Sequence, residues 1–119
     1  MHEKELETFL RSRIPLSAAM AVEVRQASPA AVVIFAPLAP NLNHRDTAFG
    51  GSVSAVAILA AWSVLYVRMQ VEGLAGRIVI RRNAMSYDRP VADDFTATAT
   101  APDAADWARC RATLARNRT

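Results

Sequence analysis

Between Asn43 and Ser52 the chain sets out a cluster of groups able to do chemistry: Asn43, His44, Asp46, Thr47, then Gly50, Gly51 and Ser52. A glycine pair opening a helix is the most suggestive of these. The first N–H groups of a helix have no partner within it, and the helix dipole is positive at that end. Without Cβ atoms, Gly50 and Gly51 let an oxygen approach the backbone closely. The N–H of Gly51, or of one neighbour, is therefore a candidate donor to negative charge developing on a carbonyl oxygen. The same pair can equally serve close helix packing or a turn. His44 can act as a base or orient a water, and Asn43 can hold a carbonyl or that water. Taken singly, each is also ordinary loop chemistry. Asp46 is the carboxylate nearest the glycines; a base, a helix cap and a solvated side chain are all open to it. Capping is the expected job of Thr47, with Ser52 and Ser54 as further hydroxyls at the same end.

These groups need a long helix behind them. From Ala48 to Val67 the chain runs twenty residues without a charge, long enough to cross a bilayer. Its glycines, serines and many alanines keep the hydrophobicity modest, and a helix apolar on every side also suits the buried centre of a fold. A buried helix from Thr47 or Gly51 to Val71 is expected, with Gly73 and Gly76 marking its end. Before it, Leu6, Phe9 and Leu10 recur at helical spacing up to Pro15. Met20, Val22 and Val24 alternate with more polar residues as in a strand, and a turn over 26–30 leads to a second strand over 31–36. The segment 37–46 reads as a loop. After the helix, Arg77 to Tyr87 is expected to be a strand ended by Arg89 and Pro90. Phe95 to Ala101 alternates cleanly as another strand, and a short helix with Trp107 and Leu114 on one face follows.

Composition sets the bounds. A chain of 119 residues supports one core, and 52% hydrophobic with 21% charged residues is a globular mix. The net charge is +3, and Lys4 is the one lysine. The arginines are scattered, with local groups at Arg81 and Arg82 and at Arg109, Arg111, Arg116 and Arg118, so solvated faces are preferred to a nucleic-acid surface. Cys110 stands alone, which excludes an intrachain disulfide. His2 and His44 lie far apart without companion ligands, so no metal site is expected. The acidic opening residues do not resemble a secretory signal, and the cytoplasm is the expected compartment.

Four stretches carry a resemblance: Ile14 to Met20, Ala36 to His44, Thr47 to Ser52, and Tyr87 to Val91. In this order they are similar to the thioesterase family named for the C-terminal domain of YiiD, over roughly residues 5 to 100. The resemblance implies an α+β hot-dog fold, a curved antiparallel sheet wrapped around one long central helix, assembled as a homodimer or dimer of dimers. It implies activity on acyl thioesters of coenzyme A or acyl carrier protein, carried as substrate, with no separate cofactor. In that frame Asn43, His44, Asp46 and Gly51 are the expected catalytic set. Thr47, Phe49, Gly50, Ser52, Tyr87 and Arg89 are the expected substrate contacts, Tyr87 on an acyl channel and Arg89 towards a carrier phosphate. Arg81 and Arg82 are weaker candidates for the nucleotide end. Trp62, Tyr66 and Phe49 are expected to make core or dimer contacts.

Two departures from the family pattern bear on these expectations. Many hot-dog thioesterases use a carboxylate either in the loop before the central helix or partway along the partner subunit's helix, whereas no Asp or Glu lies between Ser52 and Gln70 on the helix here. A full hot-dog sheet also has five or more strands, and this sequence ends at Thr119 before a further long strand; a single domain over 1–119, with its last strands outside the sequence, is the expectation. The missing acid keeps two alternatives open, a non-catalytic acyl-thioester-binding protein and an enoyl or hydroxyacyl thioester hydratase or dehydratase.

Overall fold

The computed structural model describes residues 1–116; Arg118 of the basic tail lies outside them. The chain opens with helix α1 (Glu3–Arg13) and the short helix α2 (Pro15–Ala19). Two antiparallel strands follow, β1 (Glu23–Ala27) and β2 (Ala31–Ala36). A single 3-10 turn (Ala39–Asn41) leads to the long helix α3 (Gly50–Glu72), then strand β3 (Phe95–Thr100) and helix α4 (Ala104–Arg116).

Local chemistry accounts for most boundaries. At α1, His2 Nδ1 accepts from the Lys4 N–H while Glu5 accepts from the His2 N–H, a reciprocal box at the helix start. Pro15 then interrupts the helix, and α2 restarts with that proline in its first turn. This restart displaces the expected first strand, which begins at Glu23 rather than near Met20. The far end of α3 is closed by Gly73 at φ 65°, with Gly73 N–H bonded to Gln70 O and Leu74 N–H to Met69 O. That left-handed position is one glycine adopts without penalty.

The sheet has the order β1-β2-β3, antiparallel throughout. A bulge at Arg25 breaks the β1–β2 register between Val24 and Gln26. One face carries Val24, Val32, Ile34 and Ala36, all buried, with Ala97 and Ala99 half-buried beside them. Against it lies the face of α3 made by Val56, Leu59, Ala60, Ser63, Val64 and Val67, the i, i+3, i+4, i+7 pattern of a helix stripe. Leu6 and Leu10 of α1 complete the same core. A sheet laid on one long central helix is the hot-dog arrangement, and it confirms the expected α+β class.

The expected strand over 77–87 is corrected. The segment has no ladder partner among the described residues. A strand is defined by pairing as much as by its side chains. Both edges of β2 are taken, Glu7 Oε1 accepts from the Val24 N–H on the outer edge of β1 at 2.9 Å, and the segment does not pair with the outer edge of β3. The segment instead runs along the flank of α3, tied by Trp62 Nε1–H to Ile78 O at 2.8 Å and by Tyr87 O–H to Gly50 O at 3.1 Å. Ile78 is half-buried, whereas Val79 is 81% exposed.

One core group stands out. Ser63 is fully buried, and its hydroxyl has no hydrogen-bond partner. A buried unpaired hydroxyl costs on the order of 1–3 kcal/mol, and alanine is the better helix former. Ser63→Ala is expected to stabilise the chain by about 1 kcal/mol, read as a raised denaturation midpoint; a lower midpoint would contradict this packing.

Candidate functional site

The loop before α3 is built around two asparagines. Asn41, 2% exposed, donates from Nδ2 to Met20 O at 3.0 Å and Pro37 O at 2.7 Å, and its main-chain carbonyl accepts from the Phe49 N–H at 2.7 Å. It thereby ties the end of α2, the start of the loop and the residue before α3 to one point. Asn43 organises the next turn. Its Oδ1 accepts from the Arg45 and Thr47 N–H groups, and its Nδ2 donates to Thr47 Oγ1 at 2.7 Å and Ala48 O at 3.3 Å. The Ala48 N–H donates in turn to Val91 O, joining this turn to the segment beyond Tyr87.

These bonds decide what each expected site residue can do. Asn43 has its side chain committed to the turn, so it shapes the loop. Thr47 does not cap α3, because its hydroxyl accepts from Asn43 and the residue preceding the helix is Phe49. Asp46 does not cap it either; it sits at φ 62°, a conformation Asp tolerates better than most residues, with its side chain exposed. His44 and Arg45 are exposed beside it on the same turn. Ser52 is half-buried in the first turn of α3 and Arg89 is exposed.

At the start of α3 no side chain caps the helix. The Phe49 carbonyl accepts from the Ser52 and Val53 N–H groups, while those of Gly50 and Gly51 have no partner among the described residues. Two aromatic rings flank this pair. A Cβ on Gly51 would lie 2.4 Å from Phe49 Cε2, so the Phe49 ring folds back over a position only glycine leaves open. The Tyr87 ring covers the Gly50 side, 3.5 Å from where a Cβ would stand. Phe49 and Tyr87 are each 56% exposed, so Phe49 makes no core contact. Trp62 and Tyr66, by contrast, are half-buried in a stack with Phe9, Tyr66 lying 4.6 Å from the Phe9 ring and 5.0 Å from the Trp62 ring.

The glycine pair is at the surface, and a cavity begins one helical turn further on. A trough of about 710 Å³ lies between α3, from Ala55 to Leu65, and the extended segment from Ile78 to Met85, with Ile14, Leu16 and Met20 contributing from the α2 side. The Tyr87–Gly50 bond lies beyond its Met85 end, and the Trp62–Ile78 bond lies at the other. Arg82 stands on its wall; Arg81 and Arg89 do not line it. Among the described residues no group of three His, Cys, Asp or Glu side chains could hold a metal ion.

Sequence reasoning missed Asn41 and the trough. An asparagine between Pro40 and Leu42 looks like any turn former, and nothing local marks it as buried. The trough needed the path of residues 77–87, which was read as sheet.

A sheet packed on a central helix, with free backbone donors at the helix start beside an apolar trough, defines a protein of the hot-dog class. The chain belongs to the family described as "Putative thioesterase (yiiD_Cterm)", whose model matches residues 3–119. It is similar to a protein of unknown function from Chlorobaculum tepidum, at 32% identity and a TM-score of 0.89 over 97% of this chain and 71% of that one. It is also similar to a protein from Shewanella oneidensis described as a putative thioesterase, at 28% identity and a TM-score of 0.80 over 85% of this chain and 71% of that one. A Pseudomonas aeruginosa protein at 15% identity shares the fold, with a TM-score of 0.77 over 98% of this chain and 76% of that one.

Because Asn43 supplies four side-chain hydrogen bonds to one turn, Asn43→Ala is expected to destabilise the chain by about 2 kcal/mol, measured by denaturant unfolding. An unchanged midpoint would show that the turn holds without them.

Proposed function

We propose that the chain hydrolyses acyl thioesters of coenzyme A or acyl carrier protein, with the thioester carbonyl seated at the start of α3. The observation that carries this reading is the pair of unpartnered N–H groups at Gly50 and Gly51, uncapped and next to an apolar trough. Charge develops on the carbonyl oxygen as water attacks, and donors fixed before the reaction stabilise that charge without reorganising. Gly51 supplies the donor, and the Phe49 and Tyr87 rings shield it from competing water. His44 or Asp46, side by side on the exposed turn, orients and deprotonates the attacking water. Asn43 holds that turn in place. Thr47 and Ser52 bound the carbonyl seat through the turn and the first helical residues, while Arg89 meets a phosphate of the carrier.

The working unit in this reading is a cytoplasmic homodimer, or a dimer of dimers. Helix α3 is long and apolar enough to cross a membrane, yet its buried stripe packs on the sheet, which supports a core role. The lack of a helix carboxylate and the commitment of Asn43 to its turn favour a second reading, acyl-thioester binding without turnover.

A panel of acyl-CoA thioesters assayed for thiol release separates the two. Hydrolysis by the wild type is expected, and kcat is expected to fall by about 10²–10⁴ in the His44→Ala, Asp46→Asn double variant. Tight binding with no release across the panel would establish the second reading instead. The donor is tested by Gly51→Pro in a Phe49→Ala background, since proline is accommodated in a first helical turn but has no N–H. Relative to Phe49→Ala alone, kcat is expected to drop by about 10²–10³.

A further inference from the structure

The trough along α3 ends at a wall that closes a second cavity from the other side. Beyond it lies a pocket of about 190 Å³ among Met69, Trp107, Cys110 and Leu114. Leu65, Ile78 and Val79 line both spaces. We propose that Leu65 and Ile78 form the stop that sets how long an unbranched acyl chain the trough accepts. The proposal rests on the reading of this site as one for acyl thioesters.

Three observations favour a hydrocarbon chain of limited length as the occupant. The walls are tied to each other at both ends, by the Tyr87–Gly50 and Trp62–Ile78 hydrogen bonds, so their spacing is held. The Trp62 indole that pins Ile78 is itself stacked on Tyr66, which stacks on Phe9, so the stop has a braced support. The lining is apolar apart from Ser17, Arg82 and Asn83, and Arg82 has no carboxylate partner among the described residues. An apolar run beside one free cation complements an acyl chain joined to an anionic carrier better than a neutral apolar surface.

Geometry sets the expected length. From Gly51, where the carbonyl is seated, to Leu65 the helix advances fourteen residues, about 21 Å. A zigzag of ~1.5 Å carbon–carbon bonds advances about 1.25 Å per carbon, so about seventeen carbons reach the stop. Without the Leu65 side chain the two cavities join as far as Met69, about 6 Å further, room for about five more carbons.

The test is calorimetric titration of the full chain with saturated fatty acids of about ten to twenty-four carbons, which reads the trough without requiring turnover. Wild-type affinity is expected to rise about fourfold per methylene and level off near seventeen carbons. In Leu65→Ala the rise is expected to continue for about five further carbons, and in Leu65→Trp to stop earlier. Ile78→Ala, on the extended segment outside the helix and sheet, opens the same wall if Leu65→Ala does not fold. The same plateau in the wild type and in the opened variants, or affinity independent of length, overturns the stop. A length limit that moves with these variants in a chain that cleaves no thioester would leave the stop standing and remove the hydrolase reading. Thioester cleavage with a length preference that the variants do not move would do the reverse.

Discussion

Everything in this molecule depends on burying one uncharged helix. The stripe of α3 from Val56 to Val67 rests on β2 and β3, and Leu6 and Leu10 of α1 close the core beside it. Apolar burial at roughly 25 cal/mol per Å² is the dominant favourable term available to a chain of this size. The strands opposite are matched to it. Ala97 and Ala99 face the helix with small side chains, while Thr96, Thr98 and Thr100 face outward, so the helix and sheet can approach closely.

A helix seated in this way has its first turn at the edge of the sheet, where its backbone donors are not absorbed by a neighbour. The loop before it carries the candidate site. Asn41 anchors that loop from inside and Asn43 shapes it from outside, fixing the turn that carries His44 and Asp46. Phe49 folds over Gly51, so a Cβ there would require the exposed ring to swing aside.

The extended segment 77–87 is the second device of the fold. Freed from the sheet, it becomes the far wall of the trough, and its two hydrogen bonds to α3 convert an open helix flank into a bounded space. Trp62 links this wall to the aromatic stack on α1, so the amino-terminal helix contributes to the shape of a cavity it does not line.

The boundaries of β2, β3 and α3 were legible in the residues because each is dictated locally: alternation of apolar and polar positions for the strands, an uncharged run closed by Gly73 for the helix. The chemical character of the loop was legible for the same reason, since side-chain types and their order before a helix start are written in the chain. Three features were decided only by tertiary structure. Residues 77–87 have the composition of a strand, but they lie along the flank of α3, where Trp62 and Tyr87 hold them, and do not pair with the outer edge of β3. Thr47 has the composition of a cap, but its hydroxyl accepts from Asn43 and the residue that precedes the helix is Phe49. Asn41 has the composition of a turn residue, but the acceptors that bury it, Met20 O and Pro37 O, come from α2 and the loop's beginning. In each case the competing partner is remote in sequence or supplied by folding, and hydrogen-bond partners are assigned by distance in space.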